Sequence, residues 1–173
     1  AVVVTVNPLP TITGVQTVCI GSTTQFTGTA TANATNPYVS SNPAIATVNA
    51  TGLVTGVATG TATITYTNSN GCTATRTVTV NPLPVANAGA DISVCSNAVS
   101  GNLGTSTTAG YTYVWTPSTG LSSTTTSNPT VTLLNAGTTP ITTTYTLSVT
   151  ITATGCSATD AVVVTVNPLP TIT

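Results

Sequence analysis

Residues 145–153 read YTLSVTITA, and their pattern decides the fold class. Tyr145, Leu147, Val149, Ile151 and Ala153 alternate with Thr146, Ser148, Thr150 and Thr152. An apolar face and a hydroxyl face with a period of two belong to a half-buried strand, here roughly 30 Å long at about 3.3 Å per residue. The same alternation sets Ala62, Ile64 and Tyr66 against Thr61, Thr63, Thr65 and Thr67, and Val162, Val164 and Val166 against Val163 and Thr165. Turn pairs such as Asn42-Pro43, Thr51-Gly52, Asn70-Gly71 and Asn128-Pro129 divide one strand signal from the next. The chain reads as all-β.

Composition agrees and excludes most chemistry. Threonine, which is β-branched and offers a hydroxyl to water, supplies 46 of the 173 residues. Lys and Arg total 1, Asp and Glu total 2, and His is absent, so 2% of residues are charged where an ordinary domain carries about 25%. No Ser-His or Cys-His catalytic pair can form. Asp91 and Asp160 alone are too few for paired acid/base work or an acidic metal cage, so neither enzyme activity nor a cofactor is expected. A single arginine cannot track a phosphate backbone, which excludes nucleic acid as a partner. No apolar run approaches the roughly 18 residues of a membrane span. Disorder is the competing reading of so much Thr, Ser, Gly and Pro, but it goes with low hydrophobicity and high net charge, and here 40% of residues are hydrophobic and the net charge is −1.

An internal repeat sets the organisation. AVVVTVNPLPTIT occupies residues 1–13 and recurs unchanged at 161–173, an offset of 160. Its core, VTVNPLP, appears a third time within TVTVNPLP at residues 77–84, which places Asn81 against Asn7 and Asn167. Two unequal modules per repeat follow. Residues 1–10 read as the end strand and linker of a preceding module, 11–84 and 85–170 as two modules each closing in an NPLP linker, and 171–173 as the start of a following one. Several short strands in units of this size favour two tandem Ig-like β-sandwiches forming one repeat of a longer array. A β-solenoid, the other reading, wants a much shorter period.

Residues 39–66, VSSNPAIATVNATGLVTGVATGTATITY, resemble the bacterial Ig-like group 2 domain. The second module resembles the PKD-like and Ig-like repeats of very large surface adhesins or filaments of gliding bacteria. Asn87-Ala88-Gly89-Ala90-Asp91, Tyr113-Val114-Trp115-Thr116-Pro117, Asn128-Pro129, Gly155-Cys156 and Asp160 carry that likeness. The resemblance implies exported, non-catalytic modules displayed in tandem as stalks, adhesins or surface filaments.

Cys19 and Cys72 fall in the first module, Cys95 and Cys156 in the second, each pair bracketing its module in a matching context. Four cysteines allow three pairings, and the repeated placement favours Cys19 with Cys72 and Cys95 with Cys156 as structural disulfides. Each would close a long loop and contribute about 4 kcal/mol in the loop-entropy account. Free buried thiols are the alternative; a metal site lacks both CxxC spacing and histidine. Disulfides place the protein outside the cytosol, extracellular or at the cell surface.

The linkers Asn7-Pro8-Leu9-Pro10, Asn81-Pro82-Leu83-Pro84 and Asn167-Pro168-Leu169-Pro170 contain no glycine or serine. Two prolines in four residues hold an extended geometry and read as a short, semi-rigid spacer. Trp115 shares a face with Tyr113 and reads as core, with an exposed sugar-stacking platform as the alternative. Asn33-Ala34-Thr35 and Asn49-Ala50-Thr51 fit the N-glycosylation pattern, a match frequent by chance in so Asn- and Thr-rich a chain.

Two functions from different classes follow. One is a structural repeat of an extracellular fibre or stalk, whose partners are neighbouring repeats and identical chains packed into a multi-chain fibre. The other is an adhesin module that itself binds glycan or a cell surface through the loops at 31–37 and 101–110.

Overall fold

The computed structural model describes residues 1–170. The assignment of 171–173 to a following module lies outside them. No helix is present among the described residues, and the chain divides between Pro82 and Leu83 into two compact units.

The first unit contains β1 (Ile12–Thr13), β2 (Thr17–Cys19), β3 (Thr23–Gln25), β4 (Thr27–Gly28), β5 (Tyr38–Ser40), β6 (Ala46–Val48), β7 (Leu53–Gly56), β8 (Gly60–Thr67) and β9 (Thr73–Asn81). A sheet in the order β2-β9-β8-β5 faces one in the order β3-β7-β6, with β1 and β4 paired beside them. Threonine alternation drives this packing. Ala62, Ile64 and Tyr66 on β8 and Val78 and Val80 on β9 are buried with Phe26, Ala46 and Val54. Each fully buried large side chain contributes about 1.5 to 3 kcal/mol. In the β8–β9 turn the buried Asn68 side chain accepts the N–H groups of Asn70 and Cys72, which satisfies donors that the hairpin leaves over.

The second unit has β10 (Ile92–Cys95), β11 (Tyr111–Thr116), β12 (Ile141–Ile151) and β13 (Ser157–Asn167) in a sheet ordered β10-β13-β12-β11. Its core gathers Leu103, Trp115, Val131, Tyr145, Leu147, Val149, Val162, Val164 and Val166. The facing layer is built from loops joined by the isolated bridges Val99↔Thr132 and Leu121↔Val131 rather than by continuous strands. Gly, Ser, Asn and Pro interrupt residues 96–110 and 117–140 too often for long ladders. Side chains close the polar ledger instead: Ser100 Oγ accepts the Val131 N–H, Ser96 Oγ the Asn135 N–H, and Asn135 Nδ2 donates to the carbonyls of Thr139 and Val166.

One sequence expectation shifts. β12 begins at Ile141 and stops at Ile151, because the N–H groups of Thr154 and Gly155 turn back onto the Ile151 carbonyl and leave Ala153 exposed. Residues 1–6, expected as the end strand of a preceding module, are exposed and pair with no strand of this chain.

One feature is common to both units. The opening strand pairs parallel with the closing one, β2 with β9 and β10 with β13, while every other strand pairing is antiparallel. The chain therefore comes in at one end of each module, the near end, and leaves at the opposite, far end.

Candidate functional site

That parallel register overturns the disulfide pairing expected from spacing. Cys19 lies opposite Asn81 at the end of β9, whereas Cys72 precedes its first residue. Nine residues of strand, roughly 30 Å, separate their levels. Cys95 lies opposite Asn167, eleven residues or roughly 36 Å from the level of Cys156. A disulfide needs Cα atoms within about 7 Å, so neither Cys19 with Cys72 nor Cys95 with Cys156 closes. Cys72, half-buried, and Cys95, exposed, are free thiols, and Cys19 and Cys156 are disulfide-bonded. Matching sequence contexts marked equivalent positions correctly but carried no signal that the opening strand runs parallel to the closing one.

The NPLP segments are shared between strand and module start. Asn81 and Asn167 are the last residues of β9 and β13, while Pro10 and Pro84 are buried. Leu9, Leu83 and Leu169 are all exposed, at 79%, 41% and 59%. Pro82 and Leu83 are thus the exposed part of the junction between the units, a spacer shorter than the four-residue motif suggests.

The three charged side chains are engaged inside their own modules. Asp91 Oδ1 accepts the Val163 N–H at 2.8 Å, one residue before β10 joins β13. Asp160 Oδ2 accepts the Ala88 N–H at 2.8 Å. Arg76 Nη1 donates to the Ile12 carbonyl at 3.4 Å, its guanidinium carbon lies 6.0 Å from the Phe26 ring centre, and its Nε is buried without a hydrogen bond. No group of three or more His, Cys, Asp or Glu able to hold a metal occurs among the described residues.

Trp115 is 2% exposed and its Nε1 donates to the Thr126 carbonyl, so it is a core anchor and no sugar platform. Tyr66 on β8 and Tyr145 on β12 are both buried, their hydroxyls donating to the carbonyls of Ala30 and Thr119. Burial pushes both phenols above their ordinary value of 10.0, helped at Tyr66 by Tyr38. Asn33 and Asn49 each use Oδ1 to accept the N–H two residues on, which makes both acceptor-like motifs turn residues.

The two loops singled out for binding border open grooves. One of about 350 Å³ is lined by Asn36, Tyr38, Pro43 and Val48; the other, of about 510 Å³, by Thr107, Tyr111, Tyr113 and Thr126. Both grooves lie along β5 and β11, the edge strands of their sheets, and neither has a charged lining residue.

These features define an all-β chain of Ig-like modules. Residues 4–82 match the family model of the bacterial Ig-like domain (group 2). Among solved structures the chain is similar to domains 4 and 5 of the S-layer protein SbsC, at 20% identity over 86% of this chain and 82% of that one, TM-score 0.35. It is similar also to a longer S-layer protein SbsC chain at 18% identity, covering 92% of this chain and 27% of that one, TM-score 0.37. Human protocadherin-24 EC1-2 matches at 14% identity over 96% of this chain and 100% of that one, TM-score 0.34. The chain spans about a quarter of the length of the longer SbsC chain. No curated protein matches.

Proposed function

We propose that the chain is one repeat of an extracellular fibre, stalk or surface filament, a non-catalytic spacer that supplies length and stiffness in adhesion or cell contact, of the kind displayed by gliding bacteria. The observation that carries this reading is the parallel pairing of opening and closing strands, which moves the chain from one end of each module to the other. A 160-residue repeat built this way adds length with every copy. The proline linkers, the disulfide-bonded cysteines and the commitment of all three charges to internal contacts support the same role. Neighbouring repeats are its first partners. Uncharged edge strands β5 and β11 favour further packing between identical chains into a thicker fibre.

The two grooves favour a second reading, in which the module itself takes a neutral ligand such as glycan. Deleting whole repeats from the gene separates the two. Spacer function predicts surface fibres shortened by about 7 nm per repeat, from strands of roughly 30 and 36 Å, with target binding retained. Binding lost in proportion to repeats at unchanged fibre length would favour the adhesin module.

A further inference from the structure

We infer that Cys95 of one repeat and Cys72 of the repeat that follows it form a disulfide, so that successive repeats are covalently fastened at their junction. This rests on the reading of the chain as one repeat of an extracellular array.

Cys95 stands at the far end of the second module opposite Asn167, where the chain leaves through Pro168, Leu169 and Pro170. Its thiol is exposed and free, and its backbone is held because its carbonyl accepts the Ala98 N–H while the Ser96 N–H donates to Asn167. Cys72 stands at the near end of the first module, also free. Arg76, four residues on, reaches the Ile12 carbonyl, and the pairing of Thr17 with Thr79 extended backwards leads to Pro10. Cys72 is therefore level with Pro10.

Sequence identity joins the two ends. Residues 161–173 repeat residues 1–13, so Asn167 is the counterpart of Asn7 and the chain beyond it reads into the sequence that opens the first module. Cys95 is then level with position 7 of the next repeat, and Cys72 of that repeat is level with position 10. Three residues of proline-rich chain span at most about 9 Å when fully extended, and a modest bend brings that to the roughly 4.4 to 6.8 Å between the Cα atoms of a disulfide. Inside one module the corresponding separation is roughly 30 Å or more. Cys19 and Cys156, which hold the same far-end and near-end positions, are disulfide-bonded.

The oxidant is a low-molecular-weight disulfide of the extracellular space. The Cys95 thiolate attacks one of its sulfurs and expels the first small thiol; the Cys72 thiolate then displaces the second, and the two cysteine protons leave on the two small thiols released.

The test uses a chain of two repeats, residues 1–173 followed directly by a second copy of residues 14–173. It is oxidised with glutathione disulfide, alkylated, digested unreduced with pepsin and mapped by mass. The expected map links Cys95 of the first copy to Cys72 of the second and shows the outermost Cys72 and Cys95 alkylated. Cys95→Ser in the first copy should leave Cys72 of the second open to alkylation. Alkylation of both junction cysteines in the unsubstituted chain, or a bridge from Cys95 to Cys156 of its own module, overturns the inference. Failure of the array reading is separable, because it appears as a compact scattering profile whatever the cysteine map.

Discussion

Asp160 Oδ2 accepts the backbone N–H of Ala88 at 2.8 Å, tying the closing strand of the second module to the segment that opens it. Ala88 is fully buried, and the half-buried Asp160 carboxylate covers its N–H. Asp160→Ala should cost about 1 to 3 kcal/mol in denaturant melts, and Asp160→Asn, which keeps an acceptor oxygen, less. Equal losses in the two variants would show that the bond is not what holds the segment.

Arg76 takes the matching place in the first module with opposite chemistry and a poorer fit, its one long bond to Ile12 set against a buried Nε that bonds nothing. Arg76→Met keeps the stem and removes the unpaired group. Its stability should lie within about 1 kcal/mol of the parent or above it. A loss beyond about 2 kcal/mol would contradict this.

Alkali should unfold the chain before mild acid does. Burial raises the phenols of Tyr66 and Tyr145, so the unfolded chain loses these protons near pH 10 while the folded chain still holds them. Their stabilisation is complete below the unfolded value and is lost as pH rises through the raised folded values. Urea melts should be level from about pH 5 to 8, where no histidine titrates, and should fall above about pH 10. A steep change between pH 5 and 8 would contradict the assignment.

Lateral association should be nearly independent of salt. With a formal charge of −1 there is little to screen, and β5 and β11 present uncharged edges. Light scattering on multi-repeat chains should show growth with concentration at low and high salt alike. Monodisperse monomers in both would leave a single-chain stalk.

The regular sheet of each module was legible because one physical rule governs it: Ile64 and Val164 are buried where period-two alternation places them. The irregular layer of the second module was not, because Ser96, Ser100 and Asn135 work through specific hydrogen bonds that leave no periodic trace. The cysteines show the same limit. Equivalent contexts revealed that Cys19 matches Cys95 and Cys72 matches Cys156, but the direction of the opening strand, which sets them at opposite ends, is a tertiary choice.

Small-angle scattering on chains of one, two and four repeats tests the spacer reading most directly. The largest dimension should grow linearly, by about 7 nm for each 160-residue repeat, with the cross-section constant while the chains remain single. A largest dimension that rises only as the cube root of chain length, with a thickening cross-section, would contradict the claim that these modules exist to carry length.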